Sequence, residues 1–139
     1  QWHHFEMVFD WGGAYDSTST GYIFMNGVLQ ETYRLSGHVA TSIVELSRSD
    51  IAGGAKYFPG YISDFRVRQG IAAHTANFTP PTERLTAITN TSLLTCNLPY
   101  IADGSTNGHT ITINGNTKTE PFSPYDYATY SAGANGGSM

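Results

Sequence analysis

The side chains that could do chemistry in this chain are few and scattered. Cleavage of a glycosidic bond needs two carboxylates flanking it. Glu6, Glu31, Glu45, Glu83 and Glu120 stand singly, and Asp64 has no carboxylate two or four residues away. No nucleophile elbow of the form G-x-S-x-G is present. These patterns point away from an enzyme. His3 and His4 are adjacent, and neighbours on a strand point to opposite faces. They are expected as one packed and one exposed histidine rather than a metal pair. His38, His74 and His109 have no ligand spacing. Cys96 is the single cysteine, so no intrachain disulfide forms; after Leu93-Leu94-Thr95 it reads as a buried, inert thiol.

Two clusters offer binding groups. Asp103, Ser105 and Asn107 alternate through Asp103-Gly104-Ser105-Thr106-Asn107-Gly108, like the first half of a calcium loop. Asn114 stands where an EF-hand places its bidentate glutamate, so an EF-hand is excluded. Calcium at Asp103, Ser105 and Asn107 competes with a plain solvated turn, and no cofactor is required. The second cluster is Asp10, Trp11, Tyr15 and Asp16 around Gly12-Gly13. Aromatic rings stack on the apolar face of a sugar while carboxylates take its hydroxyls. Tyr57 and Tyr61 add further aromatic faces. The competing role is structural, with Trp11 packed over a sheet edge and the tyrosines covering the sheet.

The totals describe the scaffold. With 139 residues, one domain is the natural expectation, able to bury roughly two-thirds of its unfolded surface. Charged residues make up only 13% and aromatics also 13%, a mixture that suits strands and turns rather than long surface helices. A net charge of −4 with two lysines, Lys56 and Lys118, leaves no basic footprint for nucleic acid and no polybasic membrane patch. No apolar run is long enough to span a bilayer, and no signal peptide is visible.

Trp2–Asp10 alternates as a strand with Phe5, Met7 and Phe9 on one face and His4 and Glu6 on the other. Thr20–Met25 and Val28–Leu35 form a hairpin about Asn26-Gly27, a type I′ turn signal. Val39–Leu46 can be a strand, and Ser47–Ala55 a polar loop. Tyr57–Gly70 is the longest strand-like run. Phe58, Gly60 and Ile62 share one parity, Phe65 and Val67 the other, which predicts a bulge or bend near Ser63–Asp64. Asp64 and Arg66 share a parity and could form a structural ion pair. Residues 70–79 have one or two turns of weak helical character at most, and Pro80-Pro81 stops any helix. Leu93–Cys96 is a short strand. His109–Ile113 and Asn116–Thr119 are expected as a second hairpin about Asn114-Gly115. Pro121–Met139 reads as an extended tail.

Three motifs carry a resemblance. Trp2-His3-His4-Phe5, then Gly21-Tyr22-Ile23-Phe24-Met25-Asn26-Gly27, then Phe58-Pro59-Gly60-Tyr61-Ile62-Ser63-Asp64-Phe65-Arg66-Val67 are similar, in order and approximate spacing, to the second half of a laminin-G-like, concanavalin-A-like lectin/glucanase domain. The later segments around Asn77-Phe78-Thr79-Pro80-Pro81-Thr82, Leu93–Cys96 and Asp103–Thr112 resemble those of bacteriophage tail-fibre and other virion proteins that carry such domains. The resemblance implies an all-β, antiparallel jelly-roll β-sandwich, read as a fragment of a larger chain. Residues 1–86 would be the closing half of one sandwich and 87–92 a linker. Residues 93–139 would either open a following similar domain or supply closing strands and a tail to the same one.

The function so implied is a non-catalytic module on the surface or tail of a phage particle, otherwise extracellular. It would recognise host-surface glycans, assemble with other virion subunits, or both, as a homo-oligomer without nucleic acid or membrane. A purely structural subunit–subunit module and an accessory domain of a secreted glycosidase are the alternatives. Relatives of this kind often bind calcium at a sandwich rim, which adds to the interest of Asp103.

Overall fold

A computed structural model describes residues 1–11, 19–35, 44–49, 54–120 and 123–125. Among these the chain is all-β, with no helix and with every strand pair antiparallel. The strands are β1 Phe5–Asp10, β2 Thr20–Met25, β3 Val28–Arg34, β4 Arg48–Ser49, β5 Lys56–Tyr57, β6 Phe65–Arg68 and β7 Thr91–Thr95. They form one three-stranded sheet in the order β1-β2-β3 and two ribbons, β4-β5 and β6-β7.

The first sheet follows the local signals closely. Asn26 (φ 52°) and Gly27 (φ 76°) both adopt positive φ, as a type I′ turn demands. Phe24 pairs with Leu29 but Ile23 with Glu31, so Gln30 is an extra residue and bulges. Pairing of Phe5 with Met25 and Met7 with Ile23 places Phe5, Met7, Phe9, Ile23, Met25 and Val28 on one face. Glu6, Val8, Tyr22, Phe24 and Leu29 line the other.

The register sets Phe5, Met7 and Phe9 opposite Glu6, as the alternation predicts, and theirs is the open face. Phe5, Met7 and Phe9 are 55%, 46% and 40% exposed, whereas Val8 and Phe24 on the opposite face are buried. Alternation marks where apolar groups lie, but the side that is covered depends on what arrives from elsewhere. A strap from His74 to Pro80 crosses the Phe24 face. Phe78 meets Phe24 edge-on, with ring centroids 5.3 Å apart, and its N–H donates to the carbonyl of Gly27 at 2.9 Å. Asn77 accepts from the N–H of Leu29 at 2.8 Å. The weak helical character expected of this segment gives way to these contacts.

The long strand expected over Tyr57–Gly70 is not continuous. β5 ends at Tyr57, residues 58–64 run outside any ladder, and β6 begins at Phe65. The bend lies where the parity changes. Asp64 takes φ 54°, which turns the backbone sharply, and its N–H donates to the Cys96 carbonyl at 3.0 Å. Its carboxylate accepts from the Ser63 hydroxyl at 2.5 Å and from the Leu85 N–H at 2.7 Å. The expected Asp64–Arg66 ion pair is absent; Arg66 donates to the Thr86 carbonyl at 3.2 Å instead.

Two other expectations change. The polar loop of 47–55 contains β4, which pairs with β5. Of the expected strand Val39–Leu46, residues 39–43 lie outside the described residues, and 44–46 carry no ladder. The second hairpin also fails to form: Gly115 turns at φ 70°, but residues 109–119 contain no strand. An isolated two-stranded hairpin is marginal unless one face is buried, and Ile113 remains 51% exposed. The β6-β7 ribbon is covered on both faces near its end, with the adjacent Leu94 and Thr95 both almost wholly enclosed. Among the described residues, Cα atoms of strands in different sheets do not approach within 8 Å of one another.

Candidate functional site

The half-buried Trp2, where the chain enters β1, converges with the exposed Phe58 and Tyr61, where it bends after β5. Trp2 and Tyr61 face each other with ring centroids 6.5 Å apart, inclined at 56°. Phe58 supplies the third ring. Gly60 lets it fold back: a Cβ on Gly60 would come within 2.7 Å of the Phe58 ring. Gln1, Trp2, Phe58, Gly60 and Tyr61 line a cleft of about 330 Å³, near the lower end of small-ligand sites. It shares Phe58, Gly60 and Tyr61 with a broad groove of about 2320 Å³ beside residues 109–120.

Polar groups line the broad groove that shares Phe58, Gly60 and Tyr61 with this cleft. Lys118 and Glu120 pair at 2.6 Å on the groove side. The hydrogen bond and charge of Glu120 raise the Lys118 ammonium above its ordinary pKa, with Tyr61 adding a smaller effect in the same direction. The Lys118 side chain is exposed and lines the broad groove. Flat apolar faces with charged hydrogen-bonding groups beside them suit a sugar ring, whose apolar face stacks while its hydroxyls are bonded at the edge.

The residues expected from sequence to bind sugar are placed only in part. Asp10 ends β1 and Trp11 follows it; both are half-buried and engaged with other groups. The Trp11 carbonyl accepts the Ser19 hydroxyl at 2.8 Å, which ties the chain leaving β1 to the start of β2. Tyr15 and Asp16 lie outside the described residues. Tyr61 and Tyr57 are exposed, and Tyr61 joins the cleft. Trp2 and Phe58 were not legible as ligand groups, because only the tertiary approach of residue 2 to the 58–61 bend brings them together.

Asp103, Ser105 and Asn107 do come together, around backbone donors. The Asp103 carboxylate accepts from the N–H of Leu94 at 3.1 Å, of Ser105 at 2.8 Å and of His109 at 2.8 Å, and from the Ser105 hydroxyl at 2.8 Å. Burial would raise its pKa, but these donors outweigh burial and hold it at about 2. Asn107 donates to the Ser92 carbonyl at 2.8 Å. The cluster thus fastens the loop after β7 back onto that strand, and the lone pairs a cation would need are shared with four donors.

A second polar contact joins the strap to β1. His74 Nδ1 lies 2.8 Å from Glu6, and its ring stacks on Phe78 at 3.7 Å. His3 is exposed and His4 half-buried; both precede β1, so the strand expected from Trp2 starts only at Phe5. Burial lowers the His4 pKa, opposed by Glu6 and reinforced by His74 and Arg66. Burial pushes the Cys96 thiol up, so it carries little thiolate near neutrality. Among the described residues, no three His, Cys, Asp or Glu side chains cluster as a metal site.

Compared with protein-family models, curated proteins and solved structures, the chain matches none.

Proposed function

We propose that this chain is a non-catalytic β-module that recognises glycans by stacking, built as part of a laminin-G-like jelly-roll sandwich. The observation that carries the reading is the Trp2–Phe58–Tyr61 cleft, in which Tyr61 is 61% and Phe58 57% exposed beside the half-buried Trp2. Large aromatics held open to solvent on a weakly charged surface favour stacking and hydrogen bonding over long-range electrostatics. The setting in a phage virion, as a tail fibre or related appendage that meets host-surface glycans, rests on the sequence resemblance.

A glycan array probed with the full chain tests this. Binding that weakens at least about tenfold, about 1.4 kcal/mol, in both Trp2→Ala and Tyr61→Ala supports the cleft. Equal binding by wild type and both variants excludes it. Binding that falls instead with Trp11→Ala and Tyr15→Ala moves the site to the β1–β2 connection.

A second reading, a subunit-association module without sugar, is favoured by a different observation: the bare apolar face of the β1-β2-β3 sheet.

A further inference from the structure

We infer that the bare face of the β1-β2-β3 sheet is an interface for a second copy of this chain. The inference rests on the sandwich reading of the fold and supplies the second layer from a partner copy. Phe5, Met7, Phe9, Met25 and Val28 share this face and are 55%, 46%, 40%, 38% and 51% exposed. They form a contiguous stripe through directly opposed pairs, Phe5 with Met25 and Met25 with Val28. An antiparallel sheet ordinarily keeps one face wet by making it polar. Here the covered face is the one holding Glu6, His4 and the His74 strap, and the bare face is the more uniformly apolar.

Size and chemistry select the occupant. At roughly 200 Å² for a large apolar side chain, the five expose about 450 Å². A standard interface buries about 800 Å² per partner, a little over half of it apolar, which is about the same apolar area. The occupant must be flat, apolar and free of charge over the stripe, because a buried unpaired charge is strongly unfavourable. Glu31 is the one ionisable carboxylate on this face by register, beside Ile23 on the outer strand β3. The same face of another copy meets the requirement and repeats it by two-fold symmetry. Two sheets packed this way stand about 10 Å apart with interleaved side chains.

The experiment is sedimentation equilibrium of the full chain combined with peroxide oxidation of Met7 and Met25, followed by mass spectrometry. The expected result is a mass near twice 15.1 kDa at concentrations on the order of 100 μM, with both methionines protected and becoming reactive on dilution. Met7→Glu is expected to weaken association at least about tenfold, as loss of a central apolar contact does. Tyr61→Ala is expected to leave it unchanged.

A monomer with both methionines protected overturns the inference and leaves the sandwich reading standing, since the face is then covered within the chain. A monomer with both reactive overturns the inference and the sandwich reading together. A dimer whose methionines stay reactive places the contact elsewhere and also overturns it. Because methionine reactivity is read on the wild type, the result does not depend on whether Met7→Glu folds.

Discussion

The ring of Tyr33 on β3 lies over Gly21 on β2, so that a Cβ on Gly21 would stand 2.7 Å from both Tyr33 Cε atoms and nearer still to Cζ. The two residues are direct cross-strand partners. Glycine therefore leaves room for the ring to lie across the end of the apolar face instead of rising from it. Gly21→Ala is expected to destabilise the fold by about 1–2 kcal/mol, because the ring must move to admit the methyl group. Tyr33→Leu should remove much of that penalty. A double-mutant cycle by urea unfolding checks the coupling; additive effects would mean that the ring and the glycine do not constrain each other.

Gly27 should be less tolerant than Gly21. It adopts φ +76°, and a Cβ there would run into the Phe78 carbonyl and come 2.8 Å from Pro80 Cδ. Backbone cannot swing away as a ring can, and the alanine would be strained at positive φ as well. Gly27→Ala is expected to cost more than about 2 kcal/mol and to release the strap. Faster amide exchange at Phe78, whose N–H binds the Gly27 carbonyl, would report the release.

Asp103 sets an acid limit on the β7 loop. Its folded pKa of about 2 lies below the ordinary value of 3.8, so the unfolded state takes up a proton first as pH falls. The contribution is complete above about pH 4 and is lost as pH drops through 2. Solvent screening at this accessible site reduces it to about 1 kcal/mol. Asp103→Asn should lower stability at pH 7 and flatten the stability profile between pH 4 and 2. A profile unchanged by the substitution would show that the four donors do not stabilise the carboxylate.

The same four donors bear on calcium. A cation at Asp103 would have to displace N–H groups already aimed at both carboxylate oxygens. Millimolar calcium is therefore expected to raise Tm by less than about 1 °C, since a ligand stabilises only in proportion to its binding. A clear calcium-dependent rise that disappears in Asp103→Asn would establish a site.

His4 gives a second pH dependence near neutrality. Its pKa is lowered in the folded state, chiefly by burial, so folding favours the neutral ring. Stability from this term is complete above the ordinary value of 6.5 and declines as pH falls through it toward the folded pKa. His4→Gln should reduce the loss of stability between about pH 6.5 and 5. If the wild type and variant lose stability in parallel, burial of His4 is not the source of the acid sensitivity.

Local turn chemistry made the first sheet readable in the amino-acid order. Asn26-Gly27 specifies a type I′ hairpin, and the flanking alternation specifies its strands, because both depend on neighbours in the chain. The bend at Asp64 was readable for a related reason: a parity change has to be absorbed by the backbone. The acidic loop was legible as a cluster, yet the direction of its carboxylate was decided by the Leu94 and His109 N–H groups that surround it.

Long-range contacts decided the rest. Phe5, Met7 and Phe9 are as apolar as any inward-facing set, and the order of residues offers no reason to leave them bare. Their face is open because Phe78 and Asn77 arrive on the opposite side, Asn77 bonding to Leu29 across 48 residues. The Trp2–Phe58–Tyr61 cleft has the same origin, since its rings come from distant segments and converge only on folding. Alternation and turn propensity act over a few residues, so they set strands, turns and face membership. Which face is covered, and which rings meet, is a property of packing between segments far apart in the chain.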